Sequence, residues 1–199
     1  MDKSVTIVCV CYRRYDQLPI LIYAFMAQTL QNFRLLVLHD GPDERMHALL
    51  LRYKAEFPDR LSFVFSDKRH NDYGHSLRDL GIKLADSDYL LITNDDNYYC
   101  PRFLEFMFVA IERDDLDLVL CNMVHSYDIH GIPSYNVLVT QPKRLFVDIG
   151  CFIVRTAIAK QVGFRDKSHD GDATFVEDLP VAKPDIKIGK VDKVLFVHN

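Results

Sequence analysis

The regular alternation of short apolar strands with amphipathic helices in the first half of the chain constrains the fold more than any other feature. Short, β-branched, apolar runs predict strands at 5–11, 33–38, 61–65 and 89–93. Apolar residues at helical spacing predict helices at 16–29, 43–57 and 77–85. Strands and helices that alternate in this way form a parallel sheet with right-handed crossovers. We therefore predict an α/β fold with a Rossmann-like, mostly parallel central sheet flanked by helices.

The predicted sheet also indicates where a ligand would bind. In open parallel sheets, ligands bind beyond the carboxyl ends of the strands. Three segments follow strands in this way: residues 11–14, 39–41 and 94–97. We expect them to meet at one edge of the sheet.

The second half of the chain is less regular. Its pattern predicts a helix at 101–113 opened by Pro101, a strand at 116–124, a loop or hairpin at 125–143 around Gly131, mixed strand at 145–155, helices at 156–162 and 174–182, and a closing strand at 186–197. Loops and mixed strands after a parallel half predict a smaller mixed lobe that covers the site. We expect one domain over residues 1–199, divided into halves at 1–97 and 98–199.

Composition excludes several classes of function. The net charge is −4, with 24 Lys and Arg against 28 Asp and Glu, so we expect no nucleic-acid partner. The five cysteines form no C-x-x-C pair, which favours reduced core thiols. No run of 18 apolar residues exists, and Met1–Ser4 lacks a signal-peptide pattern, so we expect a cytoplasmic protein with at most peripheral membrane contact.

Two adjacent carboxylates, Asp95 and Asp96, follow the fourth predicted strand. Divalent cations such as Mg²⁺ and Mn²⁺ prefer oxygen ligands, and they usually take one or two protein carboxylates together with substrate phosphates. The alternative is a solvated turn before the next helix, where Asp and Asn are common. The position at the end of a buried parallel strand favours the metal site.

Four segments together resemble glycosyltransferase family 2, the inverting class with the GT-A fold. They are the first strand and its turn at 5–14, Gln28-Thr29 with Phe33, Leu38-His39-Asp40-Gly41, and Asp95-Asp96-Asn97 followed by Tyr99 and Pro101. The last segment is similar to the form found in spore-coat polysaccharide glycosyltransferases. The order and spacing of the segments carry the resemblance, which extends over nearly the whole chain. Arg13, His39 and Asp79 depart from the common pattern of the family.

The resemblance implies an enzyme of polysaccharide biosynthesis that moves a sugar from a UDP-sugar to a saccharide or other hydroxyl acceptor, assisted by Mn²⁺ or Mg²⁺. Residues 1–97 would bind the nucleotide, and residues 98–199 would bind the acceptor. The implied nucleotide contacts are Val10, Cys11, Tyr12, Asp40 for the uracil edge, and Asp95 for the ribose or the metal's outer shell. The implied metal ligands are Asp96 and His198. Alternatively, Asp40 only shapes the turn before Gly41, and His198 is an ordinary surface or core histidine.

Inversion needs a general base that deprotonates the acceptor hydroxyl. The resemblance selects Asp172 in the acidic segment 169–178, with the Glu177-Asp178 pair as the alternative. Asp172 could instead cap a helix that starts near Thr174. The resemblance also places Asp148 at the donor sugar or acceptor, with Gly150 allowing close backbone approach.

Two other functions compete with transfer. A sugar-nucleotide pyrophosphorylase would need a glycine-rich phosphate loop after the first strand, and residues 11–15 contain no glycine. A non-catalytic sugar-nucleotide-binding or scaffold protein derived from a transferase is the second alternative, but the four key acidic positions Asp40, Asp95, Asp96 and Asp172 are all still acidic. One of the cations Arg69, His70 and Arg78 is a candidate partner for the pyrophosphate.

Overall fold

Strands and helices alternate through the first half of the computed structural model, which describes residues 3–128 and 133–199. The elements are β1 Val5–Cys11, α1 Gln17–Met26, β2 Phe33–His39, α2 Glu44–Glu56, β3 Leu61–Phe65, α3 His75–Leu84 and β4 Tyr89–Asn94. The four strands are all parallel, in the order β3-β2-β1-β4. The predicted parallel half is therefore confirmed. Met1 and Asp2, and Gly131 of the predicted loop, lie outside the described residues.

The second half adds mixed strands to the same sheet. Its elements are β5 Tyr98–Tyr99, α4 Phe103–Asp114, β6 Leu118–His125, β7 Asn136–Leu138, a 3₁₀ turn Ile149–Cys151, β8 Phe152–Arg155, α5 Thr156–Val162, α6 Gly171–Ala182 and β9 Ile188–His198. The sheet continues from β4 through β8, β6 and β9 to β5, and β7 pairs with β6 as the second strand of a hairpin. Strand β8 runs antiparallel to both neighbours, whereas β9 runs parallel to β6.

Three predicted helix starts differ from the structure by more than one residue. Helix α3 begins at His75 instead of Leu77, with Gly74 as its N-cap. Helix α4 begins at Phe103 with Arg102 as its N-cap, so Pro101 precedes the helix. Helix α6 begins at Gly171 instead of Thr174, and Asp170 is its N-cap. Asp172 therefore lies inside the first helical turn and does not cap the helix.

A buried aromatic cluster under the sheet joins the two halves of the chain. The Tyr99 ring lies 4.6 Å from Phe25, 4.7 Å from Phe103 and 5.0 Å from Phe196, measured between centroids. All four side chains are fully buried. The Tyr99 hydroxyl donates a hydrogen bond to the Gly150 carbonyl, 3.0 Å away. This packing fixes the strands of the second half relative to helix α1 of the first.

The cysteines are free, and four of the five are buried, as predicted for reduced core thiols. Burial raises the pKa of the Cys9 and Cys11 thiols well above the ordinary value. These thiols are therefore protonated and act as small apolar side chains in β1. Within residues 3–128 and 133–199, none of the helices is both long enough and apolar enough to span a bilayer.

Gly81 lets helix α3 pack directly on strand β1, and we predict that Gly81→Ala destabilises the fold. A Cβ at this position would clash with Cγ1 of Val8 and lie 3.0 Å from its Cγ2. Overpacking of this kind costs about 1–3 kcal/mol, although the better helix propensity of Ala offsets up to about 1 kcal/mol. Urea denaturation measures the loss in the free energy of unfolding.

The double variant Val8→Ala, Gly81→Ala is the control, because it removes the valine methyl groups that the new Cβ meets. We expect Gly81→Ala to cost less in the Val8→Ala background than in the wild type. Equal costs in the two backgrounds would show that the Val8 contact is not the cause.

Candidate active site

The carboxyl ends of β1, β2 and β4 open into one cleft of about 880 Å³. All nine residues predicted for the site lie in its lining: Val10, Cys11, Tyr12, Asp40, Asp95, Asp96, Asp148, Asp172 and His198. Of the first six, Val10 and Cys11 end strand β1, and the other four lie in the turns after β1, β2 and β4. The other three come from the turn before β8, the first turn of α6 and the end of β9. The structure therefore brings both halves of the predicted site together, while the individual roles stay predictions.

His39 links the turns that follow β1 and β2. Its ring is fully buried, its Nδ1 lies 2.7 Å from the Gly41 carbonyl, and the Arg13 amide donates to its Nε2 over 3.3 Å. The Gly41 carbonyl can only accept and the Arg13 amide can only donate. Nδ1 of His39 therefore carries the proton, and Nε2 is the acceptor. A histidine thus holds these turns together where the common family pattern has an acid.

Asp40 anchors the loop at residues 66–74 to the cleft. Its two carboxylate oxygens accept from the His70 amide at 2.8 Å and the Asn71 amide at 3.0 Å. The side chain is therefore tied to a segment some thirty residues away in sequence and does not merely shape its own turn. Each carboxylate oxygen can accept a second hydrogen bond, so Asp40 keeps acceptor capacity for a ligand N–H.

The Tyr12 ring forms a flat surface beside Asp40. The guanidinium of Arg69 lies over it at 4.0 Å from the centroid, within the range of cation–π attraction. Arg69 also donates to the Asn71 side chain over 2.7 Å. Arg69 lines the cleft but His70 does not, so of these two cations only Arg69 is available to a ligand there.

Asp95 and Asp96 occupy different environments although they are adjacent. Asp95 is 6% exposed and accepts from the Tyr12 amide over 3.1 Å. Burial, and then the neighbouring charge of Asp96, raise the pKa of Asp95 to about 7. Asp96 lies nearer the surface and forms an ion pair of 3.1 Å with Arg14. Asp95 thus fixes the β1 turn, and Asp96 presents its charge to the cleft.

The acidic end of β4 offers oxygen ligands of the kind that divalent cations prefer. Within the described part of the chain, no group of three or more His, Cys, Asp and Glu side chains is arranged to hold a metal. Residues 3–128 and 133–199 therefore form no all-protein cage of the type that holds a structural metal. The Asp96 carboxylate fits a cation such as Mg²⁺ or Mn²⁺, which takes one or two protein carboxylates and completes its shell with substrate phosphates and water.

His198 faces Asp148 across the cleft floor. Its Nε2 lies 3.4 Å from an Asp148 carboxylate oxygen, and its ring stacks on His125 at 4.6 Å with an interplanar angle of 3°. Burial, and then His198, lower the pKa of His125. Asp148 also accepts from the Gly150 amide over 2.8 Å. A Cβ at Gly150 would meet Tyr99 and Phe196, so packing under the sheet explains this glycine.

Arg78 connects the carboxylate strand β4 to helix α6. The side chain is 4% exposed. Its Nη2 donates to the Asn94 side chain over 2.7 Å, and its Nη1 donates to Asp172 over 2.6 Å. Burial raises the pKa of Asp172, while the Arg78 charge lowers it. Both Nη atoms of Arg78 thus donate to protein groups, so the prediction of Arg78 as a pyrophosphate partner gains no support from them.

The alternative base pair lies outside the cleft. Glu177 accepts from the Arg144 amide over 3.1 Å, and Asp178 forms a two-pronged ion pair with Arg165 at 2.6 and 2.9 Å. Neither residue is in the cleft lining. The geometry therefore favours Asp172 over the Glu177-Asp178 pair.

The sequence assigns no role to many of the lining residues, and four of these make polar or ring contacts within the site. They are His75, Asn94, His125 and Arg144. Asn94 lies in the segment 94–97, which follows a predicted strand. Its place at the carboxyl end of a parallel strand is a signal that identifies it. The two histidines and Arg144 carry no readable spacing, because their partners lie far away in sequence.

The comparisons with known proteins agree with this architecture. The sequence model described as Glycosyl transferase family 2 matches residues 6–163. Processive diacylglycerol beta-glycosyltransferase of Mycoplasma genitalium is 24% identical over 141 residues, which are 67% of this chain and 41% of that protein. The chain thus spans less than half the length of this curated relative.

Two solved structures share the fold. TarS 1–349 from S. aureus has a TM-score of 0.79 and 17% identity, and the match covers 98% of this chain and 60% of that one; it has also been solved in complex with UDP-GlcNAc. Mannosyltransferase PcManGT from Pyrobaculum calidifontis, in complex with GDP-Man and Mn²⁺, has a TM-score of 0.76 and 11% identity, with 100% and 57% covered. These similarities confirm the predicted GT-A fold.

Because the pKa of Asp95 is raised, we predict that its ionised carboxylate lowers the free energy of unfolding at neutral pH. The folded protein holds this proton more tightly than the unfolded chain, so the stability contributed by Asp95 is complete below about pH 4 and is lost as the pH rises through about 7. Asp95→Asn keeps an acceptor for the Tyr12 amide. We expect it to raise the free energy of unfolding at pH 8 by about 1–3 kcal/mol, measured by urea denaturation with EDTA.

Asp86→Asn is the matched control, because the Asp86 side chain is 63% exposed and lies away from the cleft. We expect no comparable gain from this change. A gain for Asp95→Asn that is the same at pH 4 and pH 8 would contradict the electrostatic explanation.

Proposed function

The chain belongs to glycosyltransferase family 2, and from that membership we propose that it transfers a sugar from a UDP-sugar to a hydroxyl acceptor with inversion at the anomeric carbon. The observation that carries the proposal is that acidic side chains from both halves of the chain line one cleft. Asp40, Asp95 and Asp96 come from the parallel strands, and Asp172 comes from helix α6. The UDP-GlcNAc complex of TarS and the GDP-Man and Mn²⁺ complex of PcManGT support a nucleotide-sugar donor.

We assign the nucleotide to residues 1–97. Asp40 has the acceptor capacity to take the N–H of a uracil ring, and its anchored loop makes that carboxylate rigid. Val10, Cys11 and Tyr12 line the cleft next to it and would contact the base and ribose. Asp95 holds the Tyr12 amide and would face the ribose or the outer shell of the metal.

Asp96 and His198 would hold a divalent cation. Such a cation neutralises the charge that develops on a departing pyrophosphate. Both residues line the cleft, Asp96 at the end of β4 and His198 at the end of β9. His198 also faces Asp148, so a cation held by His198 would lie close to the Asp148 carboxylate.

Asp172 is assigned as the general base in residues 98–199. The acceptor oxygen forms a bond to the anomeric carbon as the bond from that carbon to the phosphate oxygen breaks, and the acceptor proton passes to the Asp172 carboxylate. Burial raises the pKa of this carboxyl, which makes it a better proton acceptor than an exposed aspartate. Asp148, close to Asp172, would contact the donor sugar or the acceptor.

Metal-dependent binding of the nucleotide should depend on Asp96. UDP with Mn²⁺ should raise the melting temperature, because a ligand at about 100 times its Kd adds about 2.7 kcal/mol of stability. Asp96→Ala should abolish the metal-dependent part of the shift by removing the cation's carboxylate ligand. Thermal unfolding with UDP, GDP, CDP and dTDP, each with Mn²⁺, Mg²⁺ or EDTA, measures this.

Asp86→Ala is the control, since this exposed carboxylate pairs only with Arg34 among the described residues and should leave the shift intact. A shift with another nucleotide in place of UDP would remove the uracil assignment of Asp40. If no nucleotide produced a shift, the non-catalytic scaffold would become the better account of the chain.

Turnover should depend on the Asp172 carboxylate, the proposed base. Asp172→Asn should lower the rate of sugar transfer, and of slow UDP-sugar hydrolysis with water as acceptor, by about 10²–10⁴-fold, because the amide cannot take the proton. UDP affinity should stay within about twofold, since the change lies on the acceptor side. UDP release under saturating donor and calorimetric titration of UDP measure the two quantities.

Asp178→Asn is the matched control on the same helix, because Asp178 pairs with Arg165 outside the cleft. It should retain the wild-type rate. Unchanged turnover in Asp172→Asn would remove Asp172 from the role of base.

A further inference from the structure

His75 is a buried polar residue to which the proposed chemistry assigns no role. It is the first residue of α3, follows Gly74 and is 1% exposed. Its ring stacks on Phe164 at 5.0 Å with an interplanar angle of 22°. A buried imidazole must satisfy both ring nitrogens, so its partners define what it does.

Both nitrogens of His75 have partners at 2.7 Å. Nε2 faces the Ser168 carbonyl oxygen, and Nδ1 faces Nη1 of Arg78. The carbonyl can only accept and the guanidinium can only donate, so the ring is neutral with its proton on Nε2. Burial, and then the Arg78 charge, lower the pKa of His75 to about 4, which keeps the ring neutral at ordinary pH.

The bond to Nη1 bears directly on Asp172. Nη1 carries two hydrogens, and the structure directs one to His75 and the other to Asp172, at 2.7 and 2.6 Å. Nη2 donates to Asn94. His75 therefore supplies the third acceptor that fixes the plane of the guanidinium, and that plane sets the direction of the hydrogen bond to Asp172.

His75 also supports helix α6 from below. A Cβ at Gly171 would lie 2.9 Å from His75 Nε2, so the first turn of α6 rests on the imidazole with only a hydrogen at that position. Gly171 immediately precedes Asp172. Ser168, whose carbonyl accepts the hydrogen bond from Nε2, precedes the helix. His75 thus contacts Arg78 directly and packs against Gly171, the residue before Asp172.

We infer that His75 is a positioning residue that holds Arg78 and the first turn of α6 so that the Asp172 carboxylate faces the acceptor hydroxyl. The inference rests on the proposed role of Asp172 as the base. His75 acts through Arg78, to which its Nδ1 is hydrogen-bonded. Small displacements of a catalytic group reduce turnover strongly, by up to about 10²-fold for 1 Å, which makes the inference measurable.

Two amide substitutions separate positioning from simple support of the fold. The Gln side chain in His75→Gln reaches the Nε2 position and can donate to Ser168, but it leaves Nη1 of Arg78 without its second acceptor. The Asn side chain in His75→Asn places its Oδ1 near the Nδ1 position, where it accepts from Arg78, but it loses Ser168. Each variant therefore keeps one of the two hydrogen bonds.

The experiment measures kcat and KM for UDP release from UDP-glucose, UDP-galactose and UDP-GlcNAc with Mn²⁺, together with UDP affinity and thermal unfolding. His75→Gln should lower kcat by about 10- to 100-fold while UDP affinity and donor KM change less than about twofold. His75→Asn should keep kcat within about threefold of the wild type because it restores the acceptor for Arg78. His47→Gln, on the exposed face of α2, is the control and should retain the wild-type values.

The outcomes are distinct. Wild-type kcat in His75→Gln, or equal losses of kcat in both variants that follow their losses of stability, overturns the positioning role and leaves the proposed function standing. Absence of UDP release by the wild type with all three donors, despite UDP binding, overturns the assignment of Asp172 and this inference with it. Loss of kcat in His75→Gln with rescue in His75→Asn supports the inference.

Discussion

A single buried guanidinium holds the candidate site together. Arg78 is 4% exposed, and a charge in that position is costly unless it is paired and hydrogen-bonded. Its acceptors come from the end of β4, from its own helix and from α6, the last 94 residues further along the chain. The requirement to satisfy Arg78 therefore fixes the distance between the carboxylate strand and the helix that carries Asp172. The two sides of the cleft are coupled by that constraint as well as by the shared sheet.

The parts of the fold that the sequence predicts well are those governed by local pattern. Strand β1 is buried along its whole length, and the sequence shows this directly as seven consecutive small or apolar residues. The strand-end rule then places Asp40, Asp95 and Asp96 at one edge, because the carboxyl ends of parallel neighbours meet there. Each of these strands can be predicted from its own residues, without knowing which strands lie beside it.

The parts that the sequence does not predict depend on distant partners. Helix α6 starts at Gly171, three residues earlier than its apolar pattern suggests, and Gly171 packs against His75 from another helix. A His-Asp-Gly-Asp segment has the composition of a turn, so propensity alone favours a loop there. The role of His75 cannot be predicted from the sequence for the same reason. Its partner Ser168 lies 93 residues away, and no sequence spacing indicates that contact.

The charge balance of the cleft explains why a cation fits the proposed chemistry. Seven aspartates and four arginines line the cleft among the described residues. Three of the arginines form ion pairs within the protein: Arg14 with Asp96, Arg78 with Asp172, and Arg144 with Asp170. A nucleoside diphosphate would add negative charge next to Asp95 and Asp96, whose mutual repulsion already contributes to the raised pKa of Asp95. Favourable binding of such an anion requires added positive charge at this edge, and a divalent cation between Asp96 and the phosphates supplies it where no free arginine cluster does.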